Sequence, residues 1–409
     1  MKFSEMIRGL ASPIGAVVVP TLFSFVAWCV PGFGVLRKGF NHPLPLLSEG
    51  GIMVGLWYGM IIVCAFLGER LGRALAPSGR NARWTVGLDD AFTYRVISII
   101  GAAGAGYAFI RAGSLVGFGE ITKIVGEGQA NQLKYALYED YSVGPASLRY
   151  VVIFSAGLAI YRLLTGISRG IWEIANLMAL CAVTLISSRL SLIASVFTAS
   201  VLFIKNNPPV RIPWMRILLG GAALFGALSL LNMSRNKSFY ENRFSGGFLA
   251  SGVSEIVAYV GAPFQGGLAA GQYYGPIARG MESIVYTDIE AELGTNSAFL
   301  EVVEVCGTWS FFLMALTSFG AALIIGLLRH QWDNHFALVG CALLYAYAEV
   351  WRIYLFLQGI IIALLVIGFG VPLAVMLFKE AFASRRRVHG VLPAATGKNA
   401  TRSGEEAAA

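Results

Sequence analysis

Arginine is the residue type in this chain best suited to chemistry, because a planar guanidinium stays charged at any physiological pH and grips phosphate oxygens in pairs. Arg149, Arg189, Arg235, Arg243 and Arg279 stand at the ends of apolar runs or in the long segment between two of them. Arginines in such places also snorkel to lipid headgroups, so context has to separate the two roles. Arg189 separates best. It sits in Ser187-Ser188-Arg189-Leu190-Ser191 between two apolar runs of about fifteen residues, where a cation is costly unless the turn lines a polar cavity. That turn contains neither Pro nor Gly, so Ile171–Ile204 reads either as two helices or as one with Arg189 at its middle.

The stretch from Thr295 to Gly307 offers a different tool. Thr295 or Asn296 is predicted to cap a helix whose free N–H groups and dipole attract an anion. Glu301 and Glu304, three apart on one face, are placed either to accept a proton or to form a solvated acidic surface. Tyr259, Tyr273 and Tyr274, together with Tyr135, Tyr138, Tyr141, Tyr240 and Phe244, can stack on sugar rings or form an interfacial aromatic belt. Glu139-Asp140 is a paired carboxylate with no histidine beside it. The five cysteines lie in or beside apolar runs without a Cys-x-x-Cys pair, and His330 and His335 are the only two histidines near each other. No metal site and no disulfide framework are expected.

Composition names the solvent in which these side chains must be positioned. Only 13% of the 409 residues are charged and 56% are hydrophobic, where a soluble domain carries roughly 25% charged residues. The chain is therefore expected to be an all-α polytopic membrane protein. Ten apolar windows are candidate spans: Ile14–Gly34, Gly50–Gly68, Val96–Ile110, Tyr150–Leu164, Ile171–Ser187, Leu190–Ile204, Ile217–Met233, Val305–Leu328, Phe336–Ala348 and Ile353–Phe378. The first is longer than the apolar core of a cleavable signal and is expected to be retained. With ten spans, 19 of the 31 Lys and Arg residues fall on the side of the two termini, which predicts that both termini are cytoplasmic.

Residues 1–384 form one transmembrane domain, with outer loops at about 111–149 and 234–304. Loops of that length usually carry function. The apolar, Gly-rich stretch Gly246–Gly275 inside the second contains Glu255 and Pro263, and is predicted to form helices lying on the membrane or dipping partly into it. Residues 385–409 begin with Arg385-Arg386-Arg387, an anchor for anionic lipid, and end in a Gly, Ala and Ser-rich stretch expected to be disordered. No internal repeat is visible.

Three local marks follow one another in a particular order: Ser188-Arg189 ahead of an apolar helix, Tyr259-Val260-Gly261-Ala262-Pro263 inside the long loop, and Thr295-Asn296 leading to Glu304 and Gly307. In that order, and over most of the span pattern, the chain resembles the Wzy-type O-antigen and oligosaccharide repeat-unit polymerases and their relatives, the O-antigen ligases. The resemblance implies a GT-C-like bundle in the bacterial inner membrane that transfers a glycan from an undecaprenyl-pyrophosphate carrier at the outer face, without metal or other cofactor. It implies that Arg189 holds the donor pyrophosphate and that Arg243 is the second arginine, with Arg235 a further candidate. Arg149, Arg279, Tyr259 and Asn296 would then contact substrate, and Glu304, Glu301 or Glu282 would accept the acceptor's proton. Ligases have a His-Asn pair where this chain has Thr295-Asn296, which points to a polymerase.

The expected activity is accordingly polymerisation of O-antigen, capsule or exopolysaccharide by a metal-independent glycosyltransferase. Expected partners are the lipid-linked oligosaccharide, the bilayer, and chain-length regulator and flippase proteins, with no nucleic acid. Two rivals remain. A lipid-linked oligosaccharide flippase fits the basic, polytopic character but not the absence of repeats. A GT-C enzyme taking single sugars from a polyprenyl phosphate needs an acidic pair soon after the first span, where this chain has only Asn41-His42-Pro43 and Glu49.

Overall fold

A computed structural model of the chain describes residues 9–30, 39–40, 42–76, 86–127, 132–133, 145–186, 189–207, 215, 219–223, 225–226, 229–230, 248–280, 284–289 and 295–388. Helices begin where a short polar side chain satisfies a free N–H. Ser12 accepts from Gly15 N at 3.2 Å to open α1 (Pro13–Cys29), which also has Pro at its first position. Ser48 opens α2 (Glu49–Leu75), and Asp90 accepts from Thr93 N at 3.0 Å to open α3 (Ala91–Val116). Gly117, at φ +94°, turns the chain into α4 (Phe118–Gly126). A tight 3-10 turn, Pro145–Val151, leads into α5 (Val152–Thr165), which Gly166 stops in the left-handed conformation.

Next come α6 (Ile171–Ile186), α7 (Arg189–Asn206), α8 (Phe248–Gln272), α9 (Tyr274–Ala278), α10 (Ala298–Cys306), α11 (Ser310–Leu327), α12 (Ala337–Glu349) and α13 (Gly359–Val388). Among the described residues, six helical segments are long and apolar enough to cross a membrane: Glu49–Leu75, Ala91–Val116, Ser147–Thr165, Arg189–Asn206, Ala298–His330 and Gly359–Phe382. The apolar helices α1, α6 and α12 are shorter. Large apolar side chains such as Phe23, Ile52, Ile171 and Val366 point outward on these helices, the surface a lipid solvent accepts and water does not.

Nine of the ten apolar windows coincide with these helices, while Ile217–Met233 lies largely outside the described residues. The eighth window begins earlier than predicted, at Ala298, because Gly307 at φ +56° lets α10 bend into α11. The choice left open at Arg189 falls to two helices, α6 and α7, packed against each other. Gly246–Gly275 departs most from expectation. Within it Phe248–Gln272 forms a single 25-residue helix, α8, that continues through Pro263 and is buried in the bundle over 261–271, where short helices were expected. Neighbouring backbones approach it so closely that a Cβ on Gly261 would lie 3.1 Å from Ala27, and one on Gly271 2.7 Å from the Gly50 carbonyl. Packing of this kind holds a helix through a proline that propensity alone would break.

The same device joins α2 to α11, which run parallel. A Cβ on Gly68, Gly72 or Gly326 would come within 2.1 to 2.5 Å of the facing helix's backbone carbonyls, the close approach that small residues four apart permit in a membrane. Helices α7 and α12 run antiparallel, with Asn206 donating to Trp332 O at 2.8 Å at one end and Tyr345 donating to Leu190 O at 3.4 Å at the other. The bundle thus has an Arg162 end and an Arg189 end.

Polar contacts tie the Arg162 end together. Arg162 pairs with Glu173 at 3.3 Å, donates to Leu88 O at 3.1 Å and covers the Tyr94 ring at 4.6 Å, while Asn176 donates to Tyr94 Oη and Ser98 Oγ. Lys379 reaches Asp90 at 2.7 Å, and hydrogen bonds from Lys379 and Thr93 outweigh burial to hold the Asp90 carboxyl below its ordinary range. His335 is fully buried beside Val86, and burial pushes its imidazole down to about 4.

Candidate functional site

At the opposite end two guanidiniums converge on one aromatic ring. Arg189, the first residue of α7, and Arg352, in the turn between α12 and α13, each place their guanidinium carbon 5.3 Å from the centre of Tyr259 on α8. Arg352 is held on both sides: its Nε donates to the Glu349 carboxylate and its Nη1 to the Tyr259 hydroxyl. The Arg352 and Glu349 side chains are only 9% and 5% exposed. Burial opposes the charge on Arg352, but the adjacent Glu349 carboxylate outweighs it and keeps the guanidinium ionised beyond its ordinary range. Among the described residues the cluster therefore brings together the guanidiniums of Arg189 and Arg352, the Glu349 carboxylate and the phenols of Tyr259 and Tyr345.

Local sequence explains why these side chains meet. Glu349 ends α12 and Arg352 follows three residues later, so the pair closes across the last turn, where a cation also complements the helix C-terminus. Pro263 cannot donate to the carbonyl of Tyr259 four residues earlier, which locally loosens α8 at the ring that both arginines touch. The turn carrying Arg352 is pinned from α10 and α11. Glu301 accepts from Tyr354 N at 2.8 Å and from Gln358 Nε2 at 3.1 Å, and Tyr354 Oη donates to Thr317 Oγ1 at 3.2 Å.

Of the residues singled out from sequence, Arg189 and Tyr259 come together. Arg149 is buried, with its guanidinium over the Tyr150 ring at 4.7 Å and its Nη2 donating to Tyr150 Oη. Arg279 is exposed at the end of α9. Asn296 accepts from Ser297 N at 2.9 Å and packs on Gly266, while the cap of α10 is Ser297, not Thr295 or Asn296. Glu301 and Glu304 do not act as one face. Glu301 turns inward to the Arg352 turn, whereas Glu304 is exposed beside the 79% exposed Val305. Arg235, Arg243 and Glu282 lie outside the described residues.

Arg352 and Glu349 were not singled out by sequence reasoning. Their signal was an opposite-charge pair at i, i+3 against Trp351, directly after an apolar run, a pattern that ordinary helix ends share. Among the described residues, no three His, Cys, Asp or Glu side chains gather as a metal site. An arrangement of two guanidiniums on one phenol ring can bind a diphosphate and stabilise negative charge that develops on it. Comparison of the chain with models of known protein families, with curated proteins and with solved structures found no match.

Proposed function

We propose that this protein is a polysaccharide polymerase that transfers a glycan from an undecaprenyl-pyrophosphate carrier to a lipid-linked repeat unit. In this reading it works without metal at the outer face of a bacterial inner membrane. The observation that carries the reading is the convergence of Arg189 and Arg352 on Tyr259. As the glycosidic bond breaks, charge accumulates on the leaving pyrophosphate. Two guanidiniums fixed in advance stabilise that charge without having to reorganise. Arg352 then takes the place that the resemblance gave to a second arginine, and Arg243 remains a candidate for a further contact.

The distribution of charge supports the sidedness. Arg70, Arg73, Arg95, Arg169 and Arg329 are exposed at the Arg162 end, and such a concentration of exposed arginine belongs on the cytoplasmic side. That orientation puts Arg189, Tyr259 and Arg352 toward the outer leaflet. The chain-length regulator and flippase proteins that accompany such polymerases are the partners we expect.

The test is the size distribution of lipid-linked glycans in cells lacking the protein, complemented with wild type, Arg189→Ala or Arg352→Ala at matched membrane levels. The expected result is polymer with wild type and single repeat units at the outer leaflet with either variant. Loss of one preorganised charge-stabilising donor costs on the order of 100- to 1000-fold in rate. Arg→Lys at either position restores only part, since an ammonium cannot reproduce the guanidinium fork. Repeat units held on the cytoplasmic side would instead establish a flippase and end the polymerase reading.

A further inference from the structure

Transfer of a glycan to a hydroxyl needs a group to receive that hydroxyl's proton, and the carboxylates at this end of the bundle differ sharply in fitness for it. Glu301 is committed to holding the turn that carries Arg352, one oxygen accepting from Tyr354 N and the other from Gln358 Nε2. Glu304 is exposed beside Val305. Glu349 is 5% exposed and accepts from Arg352 Nε, and the phenol of Tyr345, one turn back along α12, donates to Leu190 O next to Arg189.

Resting on the polymerase reading, we propose that Glu349 is the general base of the transfer. Arg352 makes this possible by dividing its donors. Its Nε holds Glu349 and its Nη1 holds the Tyr259 hydroxyl, while Nη2 has no partner among the described residues and is free for a phosphate oxygen. One guanidinium thereby sets the base and the leaving group in fixed relation, the kind of positioning that converts encounter into reaction.

The step balances as follows in atoms and charge. The bond from the sugar's anomeric carbon to the pyrophosphate oxygen breaks, and its electron pair stays on that oxygen. The acceptor hydroxyl oxygen bonds the anomeric carbon, and its proton passes to the Glu349 carboxylate. The protonated carboxyl returns the proton to water as carrier pyrophosphate departs. No oxidant, reductant or metal is needed.

The decisive variant is Glu349→Gln, because the amide oxygen still accepts from Arg352 Nε but cannot take a proton. The assay uses the full-length protein in detergent micelles with purified lipid-linked repeat unit, following kcat, KM and their pH dependence. We expect Glu349→Gln to lower kcat about 100- to 10,000-fold, the usual contribution of a positioned base, with KM for the lipid-linked donor within about threefold. Added formate restores part of the activity of Glu349→Ala. Thermal unfolding of each variant is measured in parallel, and Glu349→Asp, which keeps the carboxylate, retains more of kcat than Glu349→Gln.

Full kcat in Glu349→Gln, or a raised KM with kcat preserved, would overturn the assignment and leave Glu349 as a positioning residue for Arg352. If the wild-type protein forms no polymer from purified repeat units, the polymerase reading itself fails and the base assignment falls with it.

Discussion

The buried imidazole of His335 makes stability depend on pH in a way that can be worked out beforehand. His335 Nδ1 faces the Val86 carbonyl at 3.3 Å, and since a carbonyl only accepts, the proton sits on Nδ1. Nε2 is buried without a partner among the described residues. Burial pushes the imidazole down to about 4 from 6.5, the ordinary value. The nearby Arg162 works in the same direction and Asp90 against it. The folded protein therefore binds fewer protons than the unfolded chain, so this contribution is fully present above about pH 6.5 and fades as pH falls toward 4. With those two values the loss is just under 1 kcal/mol at pH 6, about 2 kcal/mol at pH 5 and about 3 kcal/mol when both states are protonated. Asp90 is held below its usual range and also loses stability in acid, so the His335 part must be isolated. His335→Asn does this, because its amide N–H can replace Nδ1 as donor to Val86 O and does not titrate. The assay is thermal unfolding of wild type and variant in neutral detergent micelles between pH 8 and pH 5. The stability advantage of wild type over variant should shrink by about 2 kcal/mol across that range. Parallel curves would refute the claim that His335 is buried neutral at the contact between Val86 and α12.

Three further outcomes follow from the packing. Arg162→Met leaves Glu173 buried without its guanidinium and should destabilise the protein by about 3 to 5 kcal/mol, whereas the double replacement Arg162→Met, Glu173→Leu should recover most of the loss in the same unfolding assay. Gly72→Leu puts a side chain where backbone lies 2.1 Å from the ideal Cβ; it should cost about 1 to 3 kcal/mol or more by overpacking, while Leu at Gly59, where nothing lies within 4 Å, should be near neutral. Tyr259→Phe keeps the ring under both guanidiniums but removes the hydroxyl that Arg352 binds, so polymer formation should fall less than in Tyr259→Leu, read from the same lipid-linked glycans.

Much of the scaffold was legible in the sequence because a bilayer imposes one rule on every span. Backbone groups must be satisfied within the segment, so a charge-free apolar run long enough to cross is a helix almost by necessity. The windows around α2, α3, α7 and α13 needed nothing more. Where a window and its helix disagreed, the missing information was tertiary. Pro263 and the glycines of Gly246–Gly275 look like interruptions along the chain, yet in the fold the same glycines admit the backbones of α1 and α2 and so keep α8 helical. The start of α10 was misplaced by one or two residues because Thr295, Asn296 and Ser297 are all competent caps, and only packing against Gly266 distinguishes them.

The candidate site was half legible, and the reason lies in how the two arginines are presented. Arg189 interrupts an apolar stretch, so its desolvation cost is visible in the sequence and demands an explanation. Arg352 stands at a helix end, where a cation near a carboxylate is unremarkable, and nothing local distinguishes it from a snorkelling residue. Its distinction is made by distant segments: Tyr259 from α8 on one side, and Glu301 from α10 fixing the turn through Tyr354 and Gln358 on the other. The converse holds for Glu301 and Glu304, which share a sequence pattern and meet opposite fates once α10 packs. Spacing along a helix says which side chains have the same direction. Which direction leads to a partner is decided by the element packed against them, and for Glu301 that element is the turn carrying Arg352.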